Sequence, residues 1–386
     1  MDPAIAARIP LVCRTKPPGK PLPERIADLT ALSIEPAGAD HRDLVARACG
    51  VLNISALIAS DAALPDLAAT LCWRQHKVFA EAGDLPQDIA VMSLMPLINI
   101  ARMLIREGDG KAAYEILDQL YRAAQRRGST VICGHTVDLS PLTRSSDEHR
   151  AVCTELWVAL LIDGARALAQ QGRWSDAADA MAAHRGIGDR LLDGRQLKVM
   201  ALVEQGHLDE ATEMIDSTVP VEPWEATVAS LLRIAVRSGI TPTSGDELER
   251  VVGEVLSLLT SEEPTTAAFR VRLALTALDV AACHSSAAST CLATAIIDVA
   301  STDAYAARDV LGHPAMRSSI TSRQHQNLTA VIAAAALGTG SIPDVHWNAI
   351  TKEIDHAEAR LRTLLAAAPL TSHESGEGVA AQLGRS

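Results

Sequence analysis

The sequence is short of aromatic residues: Phe, Tyr and Trp together make up 3% of 386 residues. A β-sandwich core draws on aromatic and β-branched side chains, so this shortage favours closely packed, alanine-rich helices. Positive charge is in deficit too, with 35 Lys and Arg against 47 Asp and Glu and a formal net charge of -12. An acidic surface repels phosphate backbones. The longest basic stripe is Arg122 to Arg127, so no nucleic-acid partner is expected. No apolar run reaches the roughly 18 residues a membrane span needs, and no membrane association is expected. Met1-Asp2-Pro3 does not open a charged segment followed by a long apolar run, so no secretory leader is expected. The seven cysteines are odd in number and form no C-x-x-C pair. This fits reduced thiols in a cytoplasmic protein better than a disulfide framework or a zinc site. A Walker loop, a G-x-G-x-x-G turn, a G-x-S-x-G elbow and an H-E-x-x-H helix are all lacking. No cofactor and no metal are expected.

What is present is apolar bulk. At 48% hydrophobic the chain can bury a large core, and its length suits two or three domains or one continuous repeat array. Alanine abounds and there are six lysines, a composition expected of a GC-rich bacterial genome. Residues 1–40 carry Pro3, Pro10, Pro17, Pro18, Pro21, Pro23 and Pro36. Proline fixes φ and lacks a backbone donor, so an extended arm lying against the body is expected. From Asp40 onward apolar residues recur at helical spacing. Helices are predicted near 64–82, 87–107, 110–127, 149–171, 174–184, 190–205, 208–217, 224–238, 246–260, 265–282, 286–300, 322–338 and 343–366. The small, polar stretch 367–386 is expected to be a disordered tail. One segment breaks the pattern. Ser129 to Leu139 sets β-formers on both sides of Gly134, which predicts a short hairpin within an insertion spanning 129–148. Ser146 or Asp147 is then expected to cap the next helix.

The most specific signal is self-similarity. Ala165, Leu168, Gly172, Ala177 and Met181 recur 34 residues later as Val199, Leu202, Gly206, Ala211 and Ile215. An earlier copy reads Ala101, Leu104, Gly108, Ala113 and Leu117, displaced by 64 residues, and the hairpin insertion accounts for the extra length. Each copy has a helix, a glycine turn and a second helix opened near an alanine. This pattern resembles the tetratricopeptide repeat, whose period is about 34 and whose turn reads Gly-x-x-x-x-Ala. The likeness is clear over about 87–223 and degenerate elsewhere in 41–366, and most of the signature Trp and Tyr positions are not kept. It implies an all-α chain, a right-handed superhelix of antiparallel helix pairs with one β-hairpin insertion. It also implies a protein or peptide partner.

Candidate chemistry is sparse. Cys283-His284 are adjacent on a helical pattern and point about 100° apart, so a thiol beside a surface histidine is the plainer reading. Asp209-Glu210 and Glu262-Glu263 suit helix starts. His135 and Asp138 lie in the hairpin, where a loop site or a merely solvated histidine would both fit. Two Asp-Gly steps, Asp163-Gly164 and Asp193-Gly194, interrupt helical runs. Close helix approach with Asp paired to a neighbouring Arg explains them structurally. The functional reading places Arg102, Arg106, Asp163, Arg166, Asp193, Arg195 and Gln196 on first helices lining one concave polar groove beside the hairpin. A non-enzymatic binding scaffold or regulator is therefore the leading expectation. The alternatives are an enzyme, or a subunit of one, working on a peptide or small molecule beside 129–148, and a structural oligomerisation module. The oligomeric state is not legible.

Overall fold

The computed structural model describes residues 1–237, 244–281 and 286–367, with backbone alone for 286–288. The expected tail lies outside the described residues save for Ala367, and so does the Cys283-His284 pair. The chain is mostly helical (73%). Among the described residues the one sheet is a two-stranded hairpin, Ser129–Ile132 paired antiparallel with His135–Asp138. Its two-residue turn, Cys133-Gly134, has positive φ at both positions (48° and 81°), as the twist of a tight hairpin requires. The helix that follows is capped one residue earlier than expected. The Ser145 hydroxyl accepts from the Glu148 N–H and the Glu148 carboxylate accepts from the Ser145 N–H, a reciprocal capping box.

Each of the three sequence copies is a helix pair. Met95–Glu107 turns into Gly110–Gln125, Ala165–Gln170 into Trp174–Ala183, and Asp193–Glu204 into Leu208–Asp216. The turn glycines 108, 172 and 206 all sit at positive φ, where a side chain is strained. The alanines that open the second helices, Ala113, Ala177 and Ala211, are fully buried. Successive helices pack on their neighbours from 95 to 319, and Ser322–Ala334 packs on Ala304–Gly312. Pro223 starts the helix Pro223–Arg237. Two short helices, Ala304–Gly312 and Pro314–Ser319, were not signalled by periodicity.

Two large apolar cores fill the body, beside a small cluster of Ala304, Tyr305, Ala335 and Leu337. One gathers residues between Leu22 and Ala167 together with Ile350, Ile354, Ala357, Leu361 and Leu364 of helix Asp344–Ala366. The other gathers residues from Ala165 to Leu328 together with Ile5, Ile9, Leu11 and Val12 of the arm. Helix Ala165–Gln170 contributes to both. The arm thus belongs to the second lobe, and helix Asp344–Ala366 packs back on Leu22–Ser33, His41–Asp61 and Pro65–Ala82 in the first. The arm lacks regular structure over 9–21, after a short helix Pro3–Ala6; Leu22–Ser33 forms a helix, with Pro21 and Pro23 at its start, where prolines are tolerated.

Helix His41–Asp61 and the stretch Gln87–Glu107 have the length and apolar character of a membrane span, beyond what the raw runs suggested. About half of each window is buried inside the protein. The second is broken at Ser93-Leu94, ahead of Pro96.

Candidate binding groove

Two of the residues singled out on first helices, Asp193 and Gln196, meet the protein's own arm. Gln196, fully buried on helix Asp193–Glu204, engages both backbone polar groups of one arm residue. The Leu11 N–H donates to Gln196 Oε1 at 2.7 Å, and Gln196 Nε2 donates to the Leu11 carbonyl at 2.9 Å. Such a clamp reads backbone and leaves side-chain identity free. Three residues on, Arg14 lays its fork on the Asp193 carboxylate, with Nη1 to Oδ1 at 3.0 Å and Nη2 against Oδ2. Further anchors follow along the arm. Arg8 donates to Asp279 at 2.6 Å, the Lys16 N–H to the Thr265 carbonyl at 3.0 Å, and the Gly19 N–H to Asp303 at 2.7 Å. The Lys16 ammonium sits 3.3 Å from the Tyr305 ring centroid, a cation–π contact. Burial nevertheless prevails there and, with Arg308 adding to it, pushes the Lys16 pKa down to about 8. Burial tends to raise the Asp279 pKa, but His313 at 3.1 Å and Arg8 outweigh it and hold the carboxyl below its usual range.

Asp193 does not interrupt a helix. Leu192 is extended (ψ -176°), so Asp193 is the first residue of its helix, where the dipole favours a carboxylate. A side chain at Gly194 would meet the Gly186 carbonyl at 2.2 Å, so this glycine serves close approach. Asp163 lies in a π-helical turn, Leu160–Gly164, inserted between Ser146–Ala159 and Ala165–Gln170. The extra residue turns Asp163 onto Arg102, whose Nε and Nη2 are each 3.0 Å from Oδ2. Arg166 follows on the next turn and comes only within 3.9 Å of Asp193.

The remaining expectations divide. Arg106 bonds Ser60 at 2.8 Å and Asp61 at 3.3 Å, bracing two helices. Arg195 is 7% exposed and donates to the Gly188 carbonyl, the Met214 carbonyl and Ser217. It staples a loop and the next helix end, so its groove role is replaced by a structural one. Among the described residues, none of the hydrogen bonds or ion pairs given above for these residues reaches the hairpin, beside which they were expected. His135 stacks on Trp73 with ring centroids 4.0 Å apart, and His76 meets the same indole edge-on. Burial, with His135 beside it, pushes the His76 pKa down to about 4. Asp138 accepts from the Ser140 N–H and hydroxyl, closing a turn. Among the described residues no group of three or more His, Cys, Asp or Glu is placed to hold a metal ion.

Sequence reasoning missed Arg8, Arg14 and Lys16 as groove ligands, though basic residues spaced along a proline-rich stretch of an acidic chain were a usable signal. Comparison with known proteins finds no matching family model, no similar curated protein and no similar solved structure.

Proposed function

We propose that this chain is a non-enzymatic, tetratricopeptide-like scaffold of helix pairs, wound right-handed and working in the cytoplasm. Its inner face binds an extended segment of a protein partner. The arm is the observation that supports this reading. A proline-broken peptide already lies against these helices, held through its backbone by Gln196 and through basic side chains by Asp193 and Asp279. A partner segment of the same chemistry, extended and basic, competes with the arm for these positions.

The test uses a dye-labelled synthetic peptide of residues 6–20. Arg14→Glu sets a carboxylate against Asp193 and weakens the resident arm, so this variant binds the peptide about tenfold more tightly than the wild type does. Adding Asp193→Asn to Arg14→Glu lowers that binding. A peptide that binds neither the wild type nor Arg14→Glu makes the arm a fixed structural strap and removes the reading.

A further inference from the structure

Pro18 of the arm walls one side of a cleft of about 190 Å³ where the helices Gly245–Leu259 and Ser286–Ala300 end. Leu259, Ala267 and Val299 give the cleft the rest of its apolar surface. Two buried charged residues, Asp303 and Arg270, also line it. Asp303 is 2% exposed and has both oxygens taken, one by the Gly19 N–H at 2.7 Å and the other by the Ala306 N–H at 2.9 Å.

Arg270, 6% exposed, has no carboxylate at ion-pair distance among the described residues. Its two Nη atoms donate to the carbonyls of Leu259, Ser261 and Glu263. Its Nε–H is buried and has no acceptor. Glu263 and Asp303 lie within electrostatic reach, but Glu263 turns its carboxylate on the Thr265 N–H and hydroxyl, at 3.1 and 2.7 Å. A buried charged donor without an acceptor is costly to keep. The mouth of the cleft carries the opposite charge. Glu262 is exposed there, and among the described residues its carboxylate has no hydrogen bond or ion pair. Thr302, also exposed at the mouth, donates its hydroxyl to the Val299 carbonyl at 3.0 Å and keeps its oxygen free to accept.

We propose that this cleft binds a small α-amino acid with a branched apolar side chain. The ligand carboxylate takes the Nε–H of Arg270, the ammonium faces Glu262, and the side chain rests on Pro18, Leu259, Ala267 and Val299. A plain carboxylate would leave Glu262 facing a like charge, and a plain amine would leave Arg270 without its acceptor. A zwitterion answers both. At roughly 30 Å³ per water the volume equals about six waters, which admits valine or leucine and excludes a nucleotide. The site does not depend on the arm's exchange with a partner, because Pro18 stays in place as its wall.

The experiment titrates the full-length protein with L-valine, with isovalerate, which lacks the amine, and with isobutylamine, which lacks the carboxylate, at neutral pH and matched ionic strength. Melting temperature and saturation-transfer NMR of the ligand methyls are read together. L-Valine raises the melting temperature saturably and receives saturation from the protein. Isovalerate and isobutylamine each bind at least about tenfold more weakly, since each leaves one charge unanswered. Arg270 also holds three carbonyls together, so exposed positions carry the mutational test. Glu262→Gln melts as the wild type does without ligand and loses the preference for L-valine over isovalerate. Thr302→Trp fills the mouth and abolishes both signals. Glu249→Gln, at an exposed position of helix Gly245–Leu259, keeps the full response. An L-valine titration that moves neither signal overturns the proposal. So does isovalerate binding as tightly as L-valine, or an undiminished response in both Glu262→Gln and Thr302→Trp. A response to isobutylamine alone overturns the amino-acid assignment.

Discussion

Tyr305 donates its hydroxyl to Asp61 at 2.6 Å across 244 residues of sequence. The same carboxylate, 4% exposed, is 2.9 Å from Arg25 and 3.3 Å from Arg106. One buried anion thus joins helix Ala304–Gly312 to the end of helix His41–Asp61. Close by, the Gly338 N–H donates to the Asp61 carbonyl and the Gly340 N–H to that of Ala62.

Removing that anion strands two cations. Asp61→Ala is expected to cost about 3–5 kcal/mol, because Arg25 is left buried without a partner. Tyr305→Phe removes one charge-assisted hydrogen bond and is expected to cost about 1.5–3 kcal/mol. Urea unfolding at neutral pH checks both. Equal losses in the two variants contradict the hub role given to Asp61.

Ala211 is fully buried where the second helix of a pair approaches the first. Ala211→Phe overpacks this junction, and a loss of about 1–3 kcal/mol is expected. An unchanged thermal midpoint shows that the helices part without cost.

Arg195 separates the structural from the functional arginines. Arg195→Ala leaves two carbonyls and the Ser217 hydroxyl without their donor, and a loss of about 2–4 kcal/mol is expected. Binding of the labelled arm peptide to Arg14→Glu is unaffected when Arg195→Ala is added below its melting temperature. A variant that keeps its melting point and loses the peptide reverses this assignment.

Lys16 makes stability depend on alkaline pH. Its folded pKa, about 8, lies below the 10.5 of the unfolded chain. Between these values the unfolded state holds a proton that the folded state has released, so stability rises with pH from about 8 to 10.5. Below 8 the buried charge penalises the fold in full. Lys16→Met is expected to flatten the rise, measured as urea midpoints at pH 7, 8, 9 and 10. A wild-type midpoint that falls over this range contradicts the burial of Lys16.

Much of the helical framework was legible because it is written locally. Gly108, Gly172 and Gly206 mark turns at positive φ, and Ala113, Ala177 and Ala211 mark the tight junctions. Cys133-Gly134 marks the hairpin turn. The polar pairs were legible in part, since Gln196 and Asp193 hold the arm and Asp163 holds Arg102. What was hidden is long-range. Nothing near Asp61 announces Tyr305, and nothing near Gln196 announces Leu11. An extended proline segment has no periodicity to show which surface it covers. Asp163 and Asp193 looked alike in sequence, yet one sits in a π turn and the other opens a helix. Neighbouring packing decided that, and the dipeptide did not.

The exchange of strap and final helix between the two lobes bears on biosynthesis. Helix His41–Asp61 leaves the ribosome early, but the apolar residues that cover it, Ile350 to Leu364, are made after nearly all the other described helices. The arm is made before the lobe it covers, whose residues run to Leu328. Each half is therefore incomplete for most of translation, and half-made chains carry bare apolar faces that invite chaperone holding or aggregation. A cut that removes the arm therefore uncovers the core that runs to Leu328, and one that removes helix Asp344–Ala366 uncovers the core built on His41–Asp61.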